Sequence, residues 1–231
     1  MDFGGYGLYI LISLPAMLLG FYAQAKIKGA FNKYSQVHTS NGMTGAEVAR
    51  KVLDANHLES VQIEQTQGNL SDHYDPRSKI LRLSQAVYGT PSIAAAGVAA
   101  HEAGHAIQHS QNYGPLALRS LMVPAVQLGS WVGPIVFMAG LLFQSNNLAL
   151  IGLLLFAATA VFSIITIPVE MDASRRAKEL LASTGIINSG EKEGVNSVLN
   201  AAALTYVAGA VQVLSTLLYY GLLLFGGRRR N

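Results

Sequence analysis

The chain has 231 residues, of which 51% are apolar and only 13% charged, against about 25% charged for an ordinary soluble domain. One small soluble core cannot hide that much apolar surface, and the net charge of +3 sits in the flanks of apolar runs, giving nucleic acid no basic face. Cysteine is absent, which excludes disulfides, thiolate catalysis and cysteine-ligated metals.

The charges are unevenly spread: residues 3–25, 120–169 and 194–227 contain no Asp, Glu, Lys or Arg. Those are membrane lengths, since about 20 apolar residues cross the hydrocarbon core. The pattern predicts four spans, 3–22, 121–143, 148–169 and 204–225. Only Gln144-Ser145-Asn146-Asn147 separates the second from the third, so the two form a tight helical hairpin. Two other readings of these runs fail. Ala23-Gln24-Ala25 resembles a signal-peptide cleavage site, but the start is acidic at Asp2, lacks a basic region and leads into a long apolar run. Buried helices of a large soluble core would need more chain than 231 residues to wrap them.

A basic collar follows the first span, Lys26, Lys28 and Lys33, of the type found on the cytoplasmic side of a bilayer and equally compatible with a plain solvated flank. Thr44-Gly45-Ala46-Glu47 is a capping box. It opens a helix with Val48, Val52 and Leu53 on one face, ending near Asn56 or His57. From Val61 the apolar period changes to two, which predicts a strand. Asp75-Pro76-Arg77-Ser78 is a turn, and residues 79–84 read as a second strand carrying Ile80, Leu81 and Leu83. The two strands read together as a short β-hairpin directly before the next helix. That helix opens at Thr90-Pro91, as cap and first-turn proline, and ends before Tyr113-Gly114-Pro115.

Within this helix stands His101-Glu102-Ala103-Gly104-His105. Two imidazoles four residues apart lie one turn above the other and can close on one metal ion. Zinc in a hydrolytic site takes about three protein ligands and keeps one position for a water whose pKa falls towards neutrality. A carboxylate beside that water, as Glu102 would be, can take its proton and pass it to a leaving amine. The competing reading is a helix whose two histidines satisfy buried partners. His109 continues the same face, but along a straight helix it stands about 12 Å from His101 and cannot share its ion, which makes it a rim residue. Position 111 is Gln, which excludes the longer motif with a third histidine.

Two histidines leave such an ion one protein ligand short. The first charge after residues 120–169 is Glu170, and the helical hairpin returns the chain to the membrane side it left. An acid at a bilayer edge is costly unless partnered, and a metal ion is a sufficient partner. The alternative is a helix-end carboxylate paired with Arg175 or Arg176. Asp172 is the second candidate ligand or, pointing to another side of the helix, the group that orients a ligating histidine. Ala173, Ala177, Leu180 and Leu181 face inward, Gly185 closes the helix, and Asn188-Ser189 caps the next one. Arg175, Arg176 and Tyr206 are candidates for stabilising an oxyanion.

Three runs then carry a resemblance: Ser71-Asp72-His73-Tyr74-Asp75-Pro76 with Leu81-Arg82-Leu83-Ser84; Ala99-Ala100-His101-Glu102-Ala103-Gly104-His105-Ala106-Ile107-Gln108; and Pro168-Val169-Glu170-Met171-Asp172-Ala173-Ser174-Arg175-Arg176-Ala177. In these runs, their order and their membrane setting, nearly the whole chain resembles the YugP-type family of neutral zinc metallopeptidases of bacterial membranes. The resemblance implies one Zn2+ per chain on His101, His105 and Glu170, with Glu102 as the catalytic carboxylate. A more distant likeness is to the HtpX and Ste24 peptidases, which also place two membrane helices between their zinc segments. Their Asp four residues after the third ligand is Ser174 here, so its orienting role would pass to Asp172 or to a backbone group. By the same analogy the strand at 63–67 would bind an extended peptide by strand addition. His73, between Asp72 and Asp75, reads first as a turn residue and second as an outer-shell group or alternative ligand.

The expected fold class is therefore an α+β membrane protein, mainly α-helical, with four transmembrane helices and a small zincin-like catalytic domain containing a short β-hairpin. The expected order is membrane helix 1 at 1–25, the catalytic region at 26–118, the membrane hairpin at 119–169, the second zinc-ligand helix and connector at 170–200, and membrane helix 4 with a basic tail at 201–231. The expected activity is zinc-dependent endopeptidase, the alternative a zinc-containing membrane scaffold or adaptor that does not cut. Expected partners are a peptide or protein substrate, membrane proteins included, and the lipid bilayer, with no nucleic acid. The resemblance implies a bacterial cell membrane as the setting, and the four spans imply that the chain crosses it several times. Lys26, Lys28, Lys33, Arg119, Arg175, Arg176, Lys178 and Lys192 against Arg228, Arg229 and Arg230 favour a site facing the cytoplasm.

Overall fold

A computed structural model describes residues 3–68 and 70–226, without the side chains of residues 3–6. Asp2, the Arg228-Arg229-Arg230 tail and Asn231 lie outside the described residues. The elements run α1 (Phe3–Tyr34), α2 (Gly45–Asp54), β1 (Gln62–Thr66), β2 (His73–Asp75), β3 (Ile80–Ser84), α3 (Gln85–Tyr88), α4 (Ile93–Ser110), α5 (Gly114–Leu142), α6 (Asn146–Ser183) and α7 (Lys192–Gly226). The chain is mainly helical with one small sheet, an α+β architecture, and α1, α5, α6 and α7 are each long and apolar enough to cross a membrane.

The helices run longer than the apolar spans predicted for them. The third span and the segment carrying Glu170 are one helix of 38 residues, roughly 57 Å at about 1.5 Å per residue and nearly twice the thickness of a hydrocarbon core. Nothing between Val169 and Ser183 breaks the backbone ladder, so the helix runs on through the hydropathy boundary at Glu170.

The described residues divide into two compact units, one drawing on the chain up to Ala23, on Ala117–Pro168 and on the part from Thr205, the other on Gln24–Leu116 and Val169–Leu204. In the first unit α5 and α6 form the expected hairpin. Their backbones touch because a methyl group added at Gly140 or Gly152 would fall on the main chain of Ala149 or Phe137, the small-residue contact that brings apolar helices together. Phe137 stacks on Tyr220 of α7 at 4.2 Å between centroids. Leu121, Trp131 and Leu142 are more than three-quarters exposed, which suits a lipid-facing surface and not a watery one.

The second unit has the sharper core. Val48, Val52 and Leu53 of α2, Leu81 and Leu83 of β3, and the alanines of α4 are fully buried together. The predicted capping box forms, with the Glu47 amide donating to Thr44 Oγ1 and the Thr44 amide to Glu47 Oε2. α4 starts later than predicted: its cap is Ser92, whose Oγ accepts from the Ala95 amide at 3.1 Å. Pro91 stands ahead of the helix, where its carbonyl accepts from the Thr39 amide.

The sheet corrects the predicted pairing. Its order is β1-β3-β2, with β1 parallel to β3 in the register Ile63↔Leu81 and β2 antiparallel to β3. The hairpin joins β2 to β3 around the expected turn, where Asp75 accepts from the Arg77 amide and the Ser78 hydroxyl. The predicted partner of β3 was β1. The linker between them is too long for a hairpin turn and contains β2, whose three residues are too few to show an alternation. Glu191 ties the sequence-distant halves of the unit together, accepting from the Ser40 amide and hydroxyl and from the Asn188 amide.

Candidate metal centre

α4 is buried at every position from Ile93 to Gln108 except Val98. Its alanines and glycines allow close neighbours, and Gly104 allows the closest: a Cβ there would stand 2.9 Å from the Ala173 carbonyl oxygen of α6. The two backbones therefore meet within one turn of Glu170. That contact carries the Glu170 side chain, 1% exposed, to the imidazoles of His101 and His105.

Glu170 Oε2 lies 3.2 Å from His101 Nε2 and 3.5 Å from His105 Nε2. The rings stand edge to face, with centroids 4.8 Å apart. One donor atom from each of the three residues falls within 4.8 Å of the others, and no further His, Asp and Glu set among the described residues meets that condition. Neighbouring ligand atoms in a zinc tetrahedron with bonds of about 2.0–2.1 Å stand about 3.3 Å apart, so the two oxygen–nitrogen separations bracket such an edge. Two imidazole nitrogens and a carboxylate oxygen are also the donor types of hydrolytic zinc, and they leave a fourth position open. The three residues fit a zinc ion.

Glu102 follows His101 on the same helix and is 9% exposed. Burial pushes the His105 imidazole down, but its hydrogen bond to Glu170 and the charges of Glu102 and Glu170 outweigh that and hold it above the usual histidine range. Two acids thus concentrate negative charge where a cation would sit.

Both histidines have a partner on the second ring nitrogen. Ser174 Oγ lies 3.1 Å from His101 Nδ1, and Gln108 Oε1 lies 3.0 Å from His105 Nδ1. Gln108 Nε2 in turn donates to the Val169 carbonyl at 2.8 Å and to Asp172 Oδ2 at 2.9 Å. Asp172, expected as a second ligand or an orienting group, stands outside the three-donor set and reaches His105 through Gln108. Ser174, whose replacement of an Asp left the orienting role open, contacts His101 itself.

The other candidates stand outside the three-donor set. His73 is exposed on β2, its Nδ1 2.8 Å from the Ser71 carbonyl. Arg175 donates to Asp172 and Glu179, and Arg176 to Asp172 and Gln111. Tyr206 is half-buried on α7, in the unit of apolar helices. His109 meets Tyr74, whose hydroxyl is 2.9 Å from its Nδ1, so β2 reaches the histidine face of α4. Gln108 carries no motif that marks it as a site residue. Its signal was a polar side chain seven residues after His101 and three after His105, on a helix otherwise lined there by Ala, Gly and Ile.

A buried pair of helix-borne histidines with a distant glutamate between them, in a chain with four membrane-length helices, defines a class, and the comparison with known proteins places the chain in it. Residues 9–225 match the family described as "Putative neutral zinc metallopeptidase", and the chain belongs to that family. It is 48% identical over 224 residues to the "Putative membrane protease YugP" of Bacillus subtilis (strain 168), covering 97% of this chain and 100% of that protein. No solved structure matches the chain.

Proposed function

We propose that the chain is a zinc-dependent endopeptidase of a bacterial cell membrane, with His101, His105 and Glu170 holding the ion and Glu102 as general base. The observation that carries this reading is the placement of Glu170 Oε2 against both Nε2 atoms, with a second buried carboxylate next in sequence to His101. A zinc ion bound there supplies Lewis acidity and brings a water towards ionisation near neutral pH.

The chain's own residues do the rest. The Glu102 carboxylate takes the proton of the attacking water and returns it to the amine that leaves when the C–N bond breaks. Its low exposure keeps bulk water from competing for that proton. Arg175 and Arg176 hold Asp172 in place, which makes them supports of the site in this reading and not oxyanion donors. A substrate presented as an extended strand adds to the outer edge of β2, since Tyr74 of β2 contacts His109 one turn beyond His105.

Purified protein in detergent tests the proposal through metal content and peptide hydrolysis. The expected result is about one zinc per chain, cleavage abolished by a chelator and restored by zinc. Cleavage that survives complete removal of metal would sink it.

A further inference from the structure

The two histidines differ in how firmly their second nitrogen is constrained. Ser174 offers His101 a hydroxyl, which can donate or accept and so imposes no tautomer. Gln108 offers His105 an amide oxygen, which only accepts. The amide cannot turn over, because its nitrogen faces two groups that only accept, the Val169 carbonyl and Asp172 Oδ2. Asp172 is fixed as a carboxylate by Arg175 Nη2 and Arg176 Nε, each at 2.6 Å. Gln108 is 0% exposed, so no solvent can stand in for any of these partners.

We propose that Gln108 is the positioning residue of the site: it keeps Nδ1 of His105 protonated and leaves Nε2 as the nitrogen that can bind an ion beside Glu170. Donor and acceptor roles then converge on Asp172: His105 donates to Gln108, Gln108 donates to Asp172, and Arg176 donates to Asp172 from the other side. The relay joins α4 to α6 at the level of the ligands, so it also sets the ring's orientation against Glu170. This inference rests on the zinc reading for its purpose, but the protonation of Nδ1 can be measured without metal.

The test uses the full-length protein in detergent with 15N-labelled histidine, metal-free and zinc-loaded, and zinc affinity by chelator competition. Two forms are compared, wild type and Gln108→Met, which keeps the volume of Gln and removes the acceptor. Wild type is expected to show a protonated, exchange-protected Nδ1 on His105 in both metal states. Gln108→Met should lose that protection and bind zinc about 10–100-fold more weakly. A role in filling space alone predicts no change in either readout, since Met fills the space of Gln. A bare Nδ1 in wild type or undiminished affinity in Gln108→Met would each overturn the inference. If Gln108→Met does not fold, the wild-type Nδ1 signal decides alone. Wild type with a protonated Nδ1 and no zinc binding would overturn the zinc site and leave the role of Gln108 standing.

Discussion

Glu170 reaches both imidazoles from α6, Glu102 stands on α4 beside them, and the proposed mechanism gives the two acids different work. Glu170 makes direct contacts to both Nε2 atoms, whereas Glu102 acts on His105 through its charge. Glu102→Gln keeps the shape and removes the proposed base, so zinc content should stay at the wild-type level while turnover falls about 10²–10⁴-fold. Glu170→Ala should lose both zinc and turnover. Metal analysis beside a peptide assay separates the two, and wild-type turnover in Glu102→Gln would remove it from the mechanism.

A pH dependence follows from the same contacts. His105 in the metal-free fold has its pKa raised above the ordinary value of 6.5. Its protonated pairing with Glu170 therefore stabilises the metal-free protein fully below about pH 6.5 and fades as pH rises through the raised value. Zinc needs the bare nitrogen, so its affinity moves the opposite way. The rise in melting temperature on adding zinc should thus grow between about pH 6 and 7.5, and a rise that shrinks over that range would contradict the ligand assignment.

At the level of elements, the site depends on how closely α4 and α6 approach. A Cβ at Gly104 would overlap the Ala173 carbonyl of a backbone that cannot swing aside as a side chain can. Gly104→Ala should force the helices apart, cost about 1–3 kcal/mol of stability and weaken zinc binding without touching a ligand. Chelator competition and thermal melting check it, and unchanged zinc affinity would show that the contact is dispensable. This level was also the least legible in the sequence. His101, Glu102 and His105 announce themselves by spacing within one helix, and Glu170 by a lone charge after a long neutral run. The pairing of β1 with β3 is a contact between distant segments that no local period encodes, and Gln108 matters through groups 61 and 64 residues away. Ser92 displaced Thr90-Pro91 as the cap of α4 because both signals fit locally and the bridge of His38 to Ser92 decides between them.

At the scale of the whole molecule, α1, α5, α6 and α7 are each long and apolar enough to cross a bilayer, and four crossings would put residues 24–116 and 169–204 on one face by count alone, with the α5–α6 turn on the other. We propose that the shared face is cytoplasmic. Lys26, Lys28, Lys33, Arg119, Arg175, Arg176, Lys178 and Lys192 flank the spans on that face, against the Arg228-Arg229-Arg230 tail. Arg175 and Arg176 are paired with acids, yet they count in full, because orientation follows the positive residues and carboxylates contribute little. The chain has no cysteine, so single cysteines report without background. Ser189→Cys, on the exposed loop before α7, should stay unlabelled by an impermeant maleimide added to intact cells and react once they are opened. Asn147→Cys, exposed in the first turn of α6, should react from outside. Labelling of Ser189→Cys in intact cells would place the histidines and Glu170 on the outer face, and labelling of both positions from one side would remove a crossing from α6.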